Sequence, residues 1–530
     1  MNTTISATRP FETISPRWLT DVGLPFVLAW LLFSVWRKVQ SLRSDKTTRL
    51  NGPASTSLLF GLYRHINEAE DPGAVYEEWA LQYGPAFRVP GGFGSSRIVI
   101  CDPRANAHFY SKETFGYIQT KLARVFIENL FGRGLLWAEG DSHRRQRKAL
   151  SPAFSNAAIR RLTPIFYDAA YKMRAIWDAM LDAGSGEASI DVQIWMNHIS
   201  LDSVGVAGFG HDFDALDGED SAIVDVFESF GSDDTSLLSR FVFLMGPVFP
   251  TLQNLPTKKN RMLRRLRYTM RDIADELLAR NRREKEGKQM SEEKSVIGLL
   301  AFIAVAECLI IADERAPASR IRNDFHQSDA RKPEKQQKLR DELFQFIGND
   351  PTFDQLSASL PYLDAVAQEV LRLHPPVRET TRVAAEDDVI PFSSPILTAN
   401  GDVVSNLVIS KGTTITSPIT YMNRAEVFWG PNGKEFEPER WLETDGCSRA
   451  KEIQGYRHIL TFSDGPRICL GKSFALTEFK AVLSVLVRNY TFRLPDGPDT
   501  KIENHRSILP RPKVAGKKGA QVPMKVKRVE

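Results

Sequence analysis

The sequence predicts a mainly α-helical protein with small β-sheets, which is an α+β fold. Long segments repeat apolar residues at helical spacing, and two short apolar runs near residue 90 flank a group of glycines. Apolar residues make up 42% and charged residues 25% of the 530-residue chain. This composition is typical of a globular protein with a substantial core, and it differs from that of a disordered or fibrous chain.

An apolar segment lies near the N-terminus. Residues 24–36 are nearly all apolar, and extension back to Trp18 adds more apolar residues and one charge, Asp21. We therefore expect a short luminal N-terminus over residues 1–17 and a membrane-spanning helix over residues 18–36. A cleaved secretory signal is the alternative. Basic residues rather than a small-residue cleavage site follow the apolar run, which favours an anchor with the rest of the chain in the cytosol.

A connecting segment over residues 37–60 precedes the predicted helices and strands. Two strands, Ala86–Val89 and Arg97–Cys101, are separated by glycines and predict a β-hairpin. Helices are predicted over residues 156–183, 200–208, 258–286, 334–346, 361–374 and 472–487. The motifs that carry chemistry run from residue 143 to residue 471 without an obvious flexible linker, so we expect one catalytic domain over residues 61–530.

The net charge and the cysteine content argue against three classes of protein: nucleic-acid-binding, disulfide-stabilised and zinc-stabilised proteins. The formal net charge of +4 is small for this length and gives no case for nucleic-acid binding. Four cysteines, at positions 101, 308, 447 and 469, are widely spread and have no zinc-site spacing. They predict neither a disulfide framework nor a structural zinc site.

The most informative segment reads Phe-Ser-Asp-Gly-Pro-Arg-Ile-Cys-Leu-Gly and ends at Gly471, with Cys469 just before a long apolar-periodic segment. A helix start stabilises a thiolate, and a thiolate ligand on haem iron favours O–O cleavage. Gly465 would permit a tight turn, and Gly471 would let the backbone lie close to a flat macrocycle. Arg467 could pair with a haem propionate, and Phe462 could shield the sulfur from water. The alternative is a buried structural cysteine beside an ordinary turn.

This pattern resembles the haem-thiolate signature of the cytochrome P450 family. The resemblance covers nearly the whole chain, from about Gly61 to its end. It implies the P450-type haem-thiolate fold, with haem b as cofactor and Cys469 as the axial ligand of the iron. It also implies a microsomal, fungal-like protein in the endoplasmic reticulum membrane, with its catalytic domain in the cytosol.

A pair of charged residues precedes the cysteine segment. Glu369 and Arg372 are three residues apart and share one helix face, and such pairs are usually solvated surface pairs. The resemblance implies instead that they are buried, with Arg440 as third member of a charge network that braces the cysteine loop. Burial requires that all three side chains have partners, so we expect the loss of Glu369 or Arg372 to prevent haem incorporation.

Three further residues match positions that contact haem propionates in this family. His143 and Arg147 are four residues apart and share a helix face. The alternative interpretation is a basic helix face that is exposed to water. Arg382 matches another propionate position by its offset from Arg372. A basic surface facing an acidic electron donor would be formed by Arg144, Arg145, Lys148 and Lys472.

The resemblance fails in one segment. Relatives carry a helix with a Gly-containing acid–threonine motif that opens an oxygen pocket and relays protons, but Ala301–Arg331 contains no Gly and no Thr. Pro317 falls near the expected position of that motif, where proline costs about 3 kcal/mol in a helix interior. We interpret the segment as a frame shift or intron-boundary error in the gene model. The alternative is a real helix interrupted at Pro317, and no oxygen-activating residue is assigned.

The leading hypothesis is a haem-thiolate monooxygenase that oxidises an apolar organic substrate with O2, and family habit suggests a role in secondary metabolism. Electrons would come from NADPH–cytochrome P450 reductase, because the chain has no dinucleotide fingerprint. A peroxide-using or rearranging relative, or a haem-binding but inactive product, remain as alternatives. Candidate cavity residues, each as well explained by core packing, are Val125, Phe126, Leu130, Phe131 and residues 241–249. Residues 507–514 and 522–529 resemble a late hairpin whose first arm lines the substrate cavity in relatives.

Overall fold

The structure is a computed structural model of the chain. It describes residues 46–57, 59–184, 186–218, 333–346, 348–443, 449–505, 511–517 and 519–529, with scattered positions between 238 and 275. The predicted anchor over residues 18–36, nearly all of the predicted helix over residues 258–286 and the segment over residues 301–331 lie outside the described residues. Within the described part, none of the helices has the length and apolarity needed to span a membrane.

The described residues form thirteen α-helices and twelve strands, with short 3-10 turns between them. The helices are α1 (Tyr63–Glu68), α2 (Pro72–Tyr83), α3 (Pro103–Ser111), α4 (Lys121–Phe131), α5 (Gly140–Leu150), α6 (Asn156–Ala183), α7 (Val192–Phe209), α8 (Pro333–Phe344), α9 (Phe353–Ala358), α10 (Pro361–Leu373), α11 (Ile419–Arg424), α12 (Glu426–Trp429) and α13 (Lys472–Asn489). The strands are β1 (Ala86–Pro90), β2 (Ser96–Ile100), β3 (Tyr117–Gln119), β4 (Glu187–Asp191), β5 (Thr380–Ala384), β6 (Asp388–Leu397), β7 (Val403–Ile409), β8 (Thr414–Ser417), β9 (Tyr490–Arg493), β10 (Ile502–His505), β11 (Arg511–Val514) and β12 (Pro523–Arg528). This is the predicted α+β class.

Local capping explains where several helices begin. Ser155 accepts a hydrogen bond from the amide of Ala158 and starts α6, which ends before Gly184 as the sequence predicts. Helix α7 begins earlier than predicted, because Asp191 caps it by accepting from the amide of Gln193. The helices predicted over residues 334–346, 361–374 and 472–487 are confirmed as α8, α10 and α13, with ends shifted by one or two residues.

A five-stranded sheet in the order β1-β2-β8-β5-β3 carries part of the candidate site. The predicted hairpin of β1 and β2 is confirmed. Strand β8 lies parallel to β2, and β5 is antiparallel to both β8 and β3. In this register Arg382 of β5 lies opposite Ile415 of β8 and Gln119 of β3, which places Arg382 in the middle of a hydrogen-bonded sheet.

Three smaller sheets complete the strand pairings. Strands β6 and β7 form a hairpin, β12 lies between β4 and β9, and β10 pairs with β11. The predicted late hairpin is therefore wrong in its pairing. Strand β11 pairs with the preceding β10, while β12 crosses to strands that are distant in the sequence. Strand β12 is the middle strand of its sheet, and its Met524 and Val526 side chains belong to the hydrophobic core.

Helix α13 runs through the hydrophobic core. Every side chain from Phe474 to Val487 is buried. The ring of Phe474 packs edge-on against Phe166 of α6, with 4.9 Å between the ring centroids. Because Cys469 lies three residues before α13, the core fixes the position of the thiol.

Candidate active site

The cysteine loop folds back on itself just before α13. The amide of Cys469 donates a hydrogen bond of 2.8 Å to the carbonyl of Phe462, and the amide of Ile468 donates one of 3.1 Å to that of Gly465. The side chain of Phe462 is buried, whereas Cys469 is partly exposed. The loop therefore brings the backbone of Cys469 beside that of the buried Phe462.

Gly465 is required at this turn for two reasons. Its φ of 63° lies in the left-handed region, which L side chains avoid. A Cβ atom at this position would also lie 2.3 Å from the carbonyl oxygen of Tyr110. Gly471 differs, because its φ is −88° and its backbone alone does not require glycine. The predicted clearance that Gly471 gives to a macrocycle stays a prediction.

The surroundings of the Cys469 thiol change its pKa in two opposite directions. Burial raises the pKa of the Cys469 thiol. The amide of Gly471 and the positive charges of Arg147 and Lys472 act in the opposite direction. These three groups would stabilise a thiolate, which is the form in which cysteine binds a metal.

The structure brings Glu369, Arg372 and Arg440 together in a buried network. Nη2 and Nε of Arg372 donate to the Glu369 carboxylate at 2.8 and 2.9 Å. Nε of Arg440 and Nε1 of Trp441 also donate to it, each at 2.9 Å. Burial alone would raise the pKa of Glu369, but the two arginines lower it below its ordinary value. The carboxylate is thus held in its charged form.

The network also connects to the cysteine loop through a residue that sequence reasoning missed. Nη1 of Arg372 donates to the carbonyl of Asn423 at 3.0 Å. The Asn423 side chain then donates to Oγ1 of Thr461 at 2.8 Å and accepts from the amide of Leu460 at 2.8 Å. Asn423 gave no sequence signal, because it belongs to no recognised motif and its role depends on packing. It links the charge network to the residues that immediately precede Phe462.

His143 and Arg147 both lie on the inner side of α5. His143 is buried, and its pKa is lowered to about 4 by burial and by the positive charges of Arg467 and Arg147. Its imidazole is therefore neutral at pH 7 and can donate through one ring N–H. Burial and Arg467 lower the pKa of Arg147 in turn. The structure thus brings His143, Arg147, Arg467 and Cys469 into one electrostatic group.

Two glutamates that the sequence reasoning missed pair with the predicted arginines. Nε of Arg382 lies 2.8 Å from Oε1 of Glu113, which is fully buried. Arg467 donates to the carboxylate of Glu139 and, at 2.5 Å, to the carbonyl of Ala138. No spacing rule points to these glutamates, because Glu113 and Arg382 are far apart in the sequence.

These residues fit a haem. The thiol of Cys469 can ligate iron, and three guanidinium groups against two carboxylates leave an excess of positive charge for anionic substituents. Nε of Arg467 is buried and has no hydrogen-bond partner among the residues that the structure describes. A haem carboxylate near Arg467 would supply the missing acceptor.

Three of the four residues of the predicted basic surface are exposed, as predicted. Arg144, Arg145 and Lys148 of α5 are exposed. Lys472 is only partly exposed, and its Nζ lies 3.9 Å from the ring centroid of Tyr456. The exposed part of the basic surface therefore belongs to α5.

The candidate cavity residues lie on or near α4. Val125 and Phe126 are partly exposed, and Phe131 at the end of the helix is 39% exposed. Leu130 belongs to the same helix, and residues 241–249 lie outside the described residues apart from Val242, which is buried. Apolar side chains of α4 are thus available to line a cavity.

Comparison with known proteins identifies relatives. The family model described as cytochrome P450 matches residues 52–306 and 330–517. Cytochrome P450 monooxygenase claP of Ampulloclitocybe clavipes is 56% identical over 529 residues, covering 96% of this chain and 98% of the relative. The claQ protein of the same species is also 56% identical, over 528 residues with the same coverage. Cytochrome P450 monooxygenase 128 of Postia placenta is 31% identical, covering 95% of this chain and 96% of the relative.

Proposed function

Because this chain belongs to the cytochrome P450 family and is an oxidoreductase of the monooxygenase type, we propose that it oxidises an apolar organic molecule with O2. We also propose that Cys469 is the axial ligand of haem b iron. The single observation that carries the proposal is the folded cysteine loop, in which a partly exposed thiol faces Arg147 and Lys472. Bound haem supplies the reductive activation of O2 from which one oxygen atom passes to the substrate.

The protein's own residues hold and tune this centre. Burial raises the pKa of the Cys469 thiol, and the amide of Gly471 and the charges of Arg147 and Lys472 act against burial and would stabilise a thiolate ligand. Phe462 is buried, and it would shield the sulfur from water and keep the environment of the ligand apolar.

Four side chains would bind the haem carboxylates: Arg147, Arg382, Arg467 and His143. His143 would donate as a neutral imidazole, since its pKa is lowered to about 4. The buried Glu369 network would hold the loop that positions the ligand. These roles rest on geometry and charge, and each can be removed by one substitution.

Electrons would come from NADPH–cytochrome P450 reductase, which would bind at the exposed face of α5. Arg144, Arg145 and Lys148 lie on this face, and they belong to the same short helix as Arg147, whose charge acts on the Cys469 thiol. A positive surface close to the ligand side of the haem suits an acidic electron donor.

We further propose a single-pass anchor over residues 18–36 in the endoplasmic reticulum membrane, with the domain over residues 61–530 in the cytosol. The basic residues that follow the apolar segment support this orientation. The first described residue, Lys46, donates its amide to Oγ of Ser410 beside the β6–β7 hairpin. The anchor would therefore join the catalytic domain at this hairpin.

The substrate class is an apolar organic molecule, of the kind found in secondary metabolism. The partly exposed apolar residues of α4 support this class, since they offer a surface for an apolar ligand. Terpenoids, steroids, fatty acids and aromatics all suit such a surface.

A peroxide-using or rearranging enzyme is the second candidate, and a haem-binding but inactive product is the third. One observation favours both. The family model leaves residues 307–329 unmatched, within the segment 301–331 that contains no Gly or Thr. Sequencing the transcript across codons 300–333 separates a gene-model error from a genuine sequence, because an error predicts a transcript that restores the family motif.

Turnover assays distinguish the three candidates. We expect purified full-length protein with reductase and NADPH to oxidise apolar test substrates, with one oxygen atom from 18O2 in each product. Turnover with hydrogen peroxide alone, and none with reductase, would favour the second candidate. Haem uptake with no turnover under either condition would favour the third.

A further inference from the structure

A cluster of four charged side chains lies beside the cysteine loop, one of them fully buried and the other three partly buried. Glu113 follows α3, Arg382 lies in β5, Glu139 precedes α5, and Arg467 lies two residues before Cys469. Glu113 pairs with Arg382 at 2.8 Å, and Glu139 pairs with Arg467. Glu113 also interacts electrostatically with Arg467 and Glu139, so the four groups form one cluster.

The backbone holds Glu113 in this cluster. Thr114, the next residue, has a φ of 74°, which is unfavourable for a β-branched side chain. Two hydrogen bonds fix this conformation: the amide of Thr114 donates to the carbonyl of Tyr117 at 2.9 Å, and the amide of Gly140 donates to the carbonyl of Thr114 at 3.1 Å. The corner formed by residues 113–119 is therefore connected to the start of α5, and it contains the fully buried Glu113 side chain.

The same corner connects the two ion pairs. Gln119 of β3 lies opposite Arg382 in the sheet. Its amide donates to Oε1 of Glu139 at 2.9 Å. A change in charge at Glu113 thus acts on both arginines, through its ion pair with Arg382 and through its electrostatic interaction with Arg467.

We propose that Glu113 is a proton-exchanging positioning residue of the haem site: it holds Arg382, and its carboxylate takes up a proton from solvent when the iron gains an electron. This inference rests on the proposed function, since it requires that haem binds beside Cys469. The step is balanced, because one electron from the reductase reduces ferric to ferrous iron and one proton joins the carboxylate.

The electrostatic surroundings of Glu113 favour such an exchange. Burial raises its pKa above the ordinary value, whereas Arg382 and Arg467 act in the opposite direction and Glu139 acts with burial. The phenol of Tyr110 on α3 is a further titratable group that interacts with it. A carboxyl whose pKa is raised titrates closer to neutral pH. In that range, the gain or loss of one nearby charge changes the fraction of the carboxyl that is protonated.

The sign of the effect follows from the charge change. Reduction removes one positive charge from the iron, which raises the pKa of Glu113 further and draws a proton onto it. The midpoint potential should therefore fall as pH rises through the range between the two pKa values of Glu113. Glu113→Gln keeps the size of the side chain but cannot exchange a proton.

The experiment is a spectroelectrochemical titration of the full-length haem protein across a pH series. We expect the wild-type potential to fall as pH rises. Glu113→Gln should flatten this dependence, and at the alkaline end its potential should lie above the wild-type value because a negative charge is missing. The matched control is Glu342→Gln, a second glutamate whose pKa burial raises and which caps α10 by accepting from the amides of Tyr362 and Leu363. It should behave as wild type.

The outcomes separate this inference from the proposed function. An unchanged pH dependence in Glu113→Gln, with a thiolate-type haem spectrum, overturns the inference and leaves the proposed function intact. Wild-type protein without a thiolate-type spectrum overturns both. If Glu113→Gln does not retain haem, the pH dependence of the potential is compared instead between the wild type and Glu113→Asp. A wild-type potential independent of pH contradicts the inference, whereas a dependence that moves to lower pH in Glu113→Asp supports it.

Discussion

Nη2 of Arg372 lies 2.8 Å from Oε1 of Glu369, and both side chains are fully buried. The guanidinium also lies over the ring of Trp429, with its Cζ 4.8 Å from the ring centroid. In water such a pair contributes little to stability, but a buried charge that loses a partner destabilises the fold strongly. The pair lies within α10, and Glu369 also accepts a hydrogen bond from Arg440, which connects this helix to the segment that carries Arg440.

Removal of the Glu369 charge should disrupt this connection. We expect Glu369→Gln to lower the free energy of unfolding by ~3–5 kcal/mol, because Arg372 and Arg440 would keep their buried charges. Haem content of the purified variant should fall to near zero, while urea unfolding reports the stability. Glu68→Gln breaks an exposed pair with Arg64 of 2.7 Å and should cost less than about 1 kcal/mol. Equal effects of the two substitutions would contradict the buried-network account.

Substitution of Gly465 should damage the cysteine loop. Gly465→Ala combines a left-handed φ of 63° with a Cβ contact of 2.3 Å to the Tyr110 carbonyl. We expect a several-fold loss of haem incorporation, measured as Soret absorbance per protein. Gly430→Ala is the matched control, because Gly430 has a φ of 76° and an added Cβ would meet no described atom within 4 Å. That control should cost about 1 kcal/mol of stability and retain haem.

His374 should make the fold sensitive to mild acid. Burial lowers its pKa from 6.5 to about 3, with further lowering by Arg424 and Arg372. The unfolded chain therefore binds a proton below pH 6.5 that the folded chain does not, so stability falls as pH falls. Between pH 6.5 and pH 5 this contribution is about 2 kcal/mol. His374→Gln should remove that part of the dependence in urea unfolding, and a variant with the wild-type pH slope would argue against it.

Charge reversal on α5 should weaken the interaction with the electron donor. We expect Arg145→Glu to raise the KM for reductase about 2- to 10-fold and to reduce its salt dependence, because an exposed charge acts mainly on association. The measurement is NADPH-supported reduction of the haem protein at several salt concentrations. Lys411→Glu is the control. It reverses the charge of an exposed lysine between β7 and β8, and it should leave the KM unchanged.

Local features of this fold were predictable and long-range ones were not. The bounds of α6 follow from Ser155 and Gly184, which act within one turn of the helix. The sequence did not predict β5 or β8, because β8 pairs with β2 and β5 pairs with β3 across hundreds of residues. The charge network and Arg467 were predictable because they belong to short motifs. Glu113, Glu139 and Asn423 were missed, since only tertiary packing gives these common polar residues a role.

The central claim is that the sulfur of Cys469 binds haem iron, and the reduced, CO-bound absorption spectrum of purified protein tests it most directly. We predict a thiolate-type band for the wild type and its loss in Cys469→Ser. Cys101→Ser, at a buried cysteine in the residue after β2, is the control and should keep the band. Haem uptake by Cys469→Ser with an unaltered Soret spectrum would contradict the account.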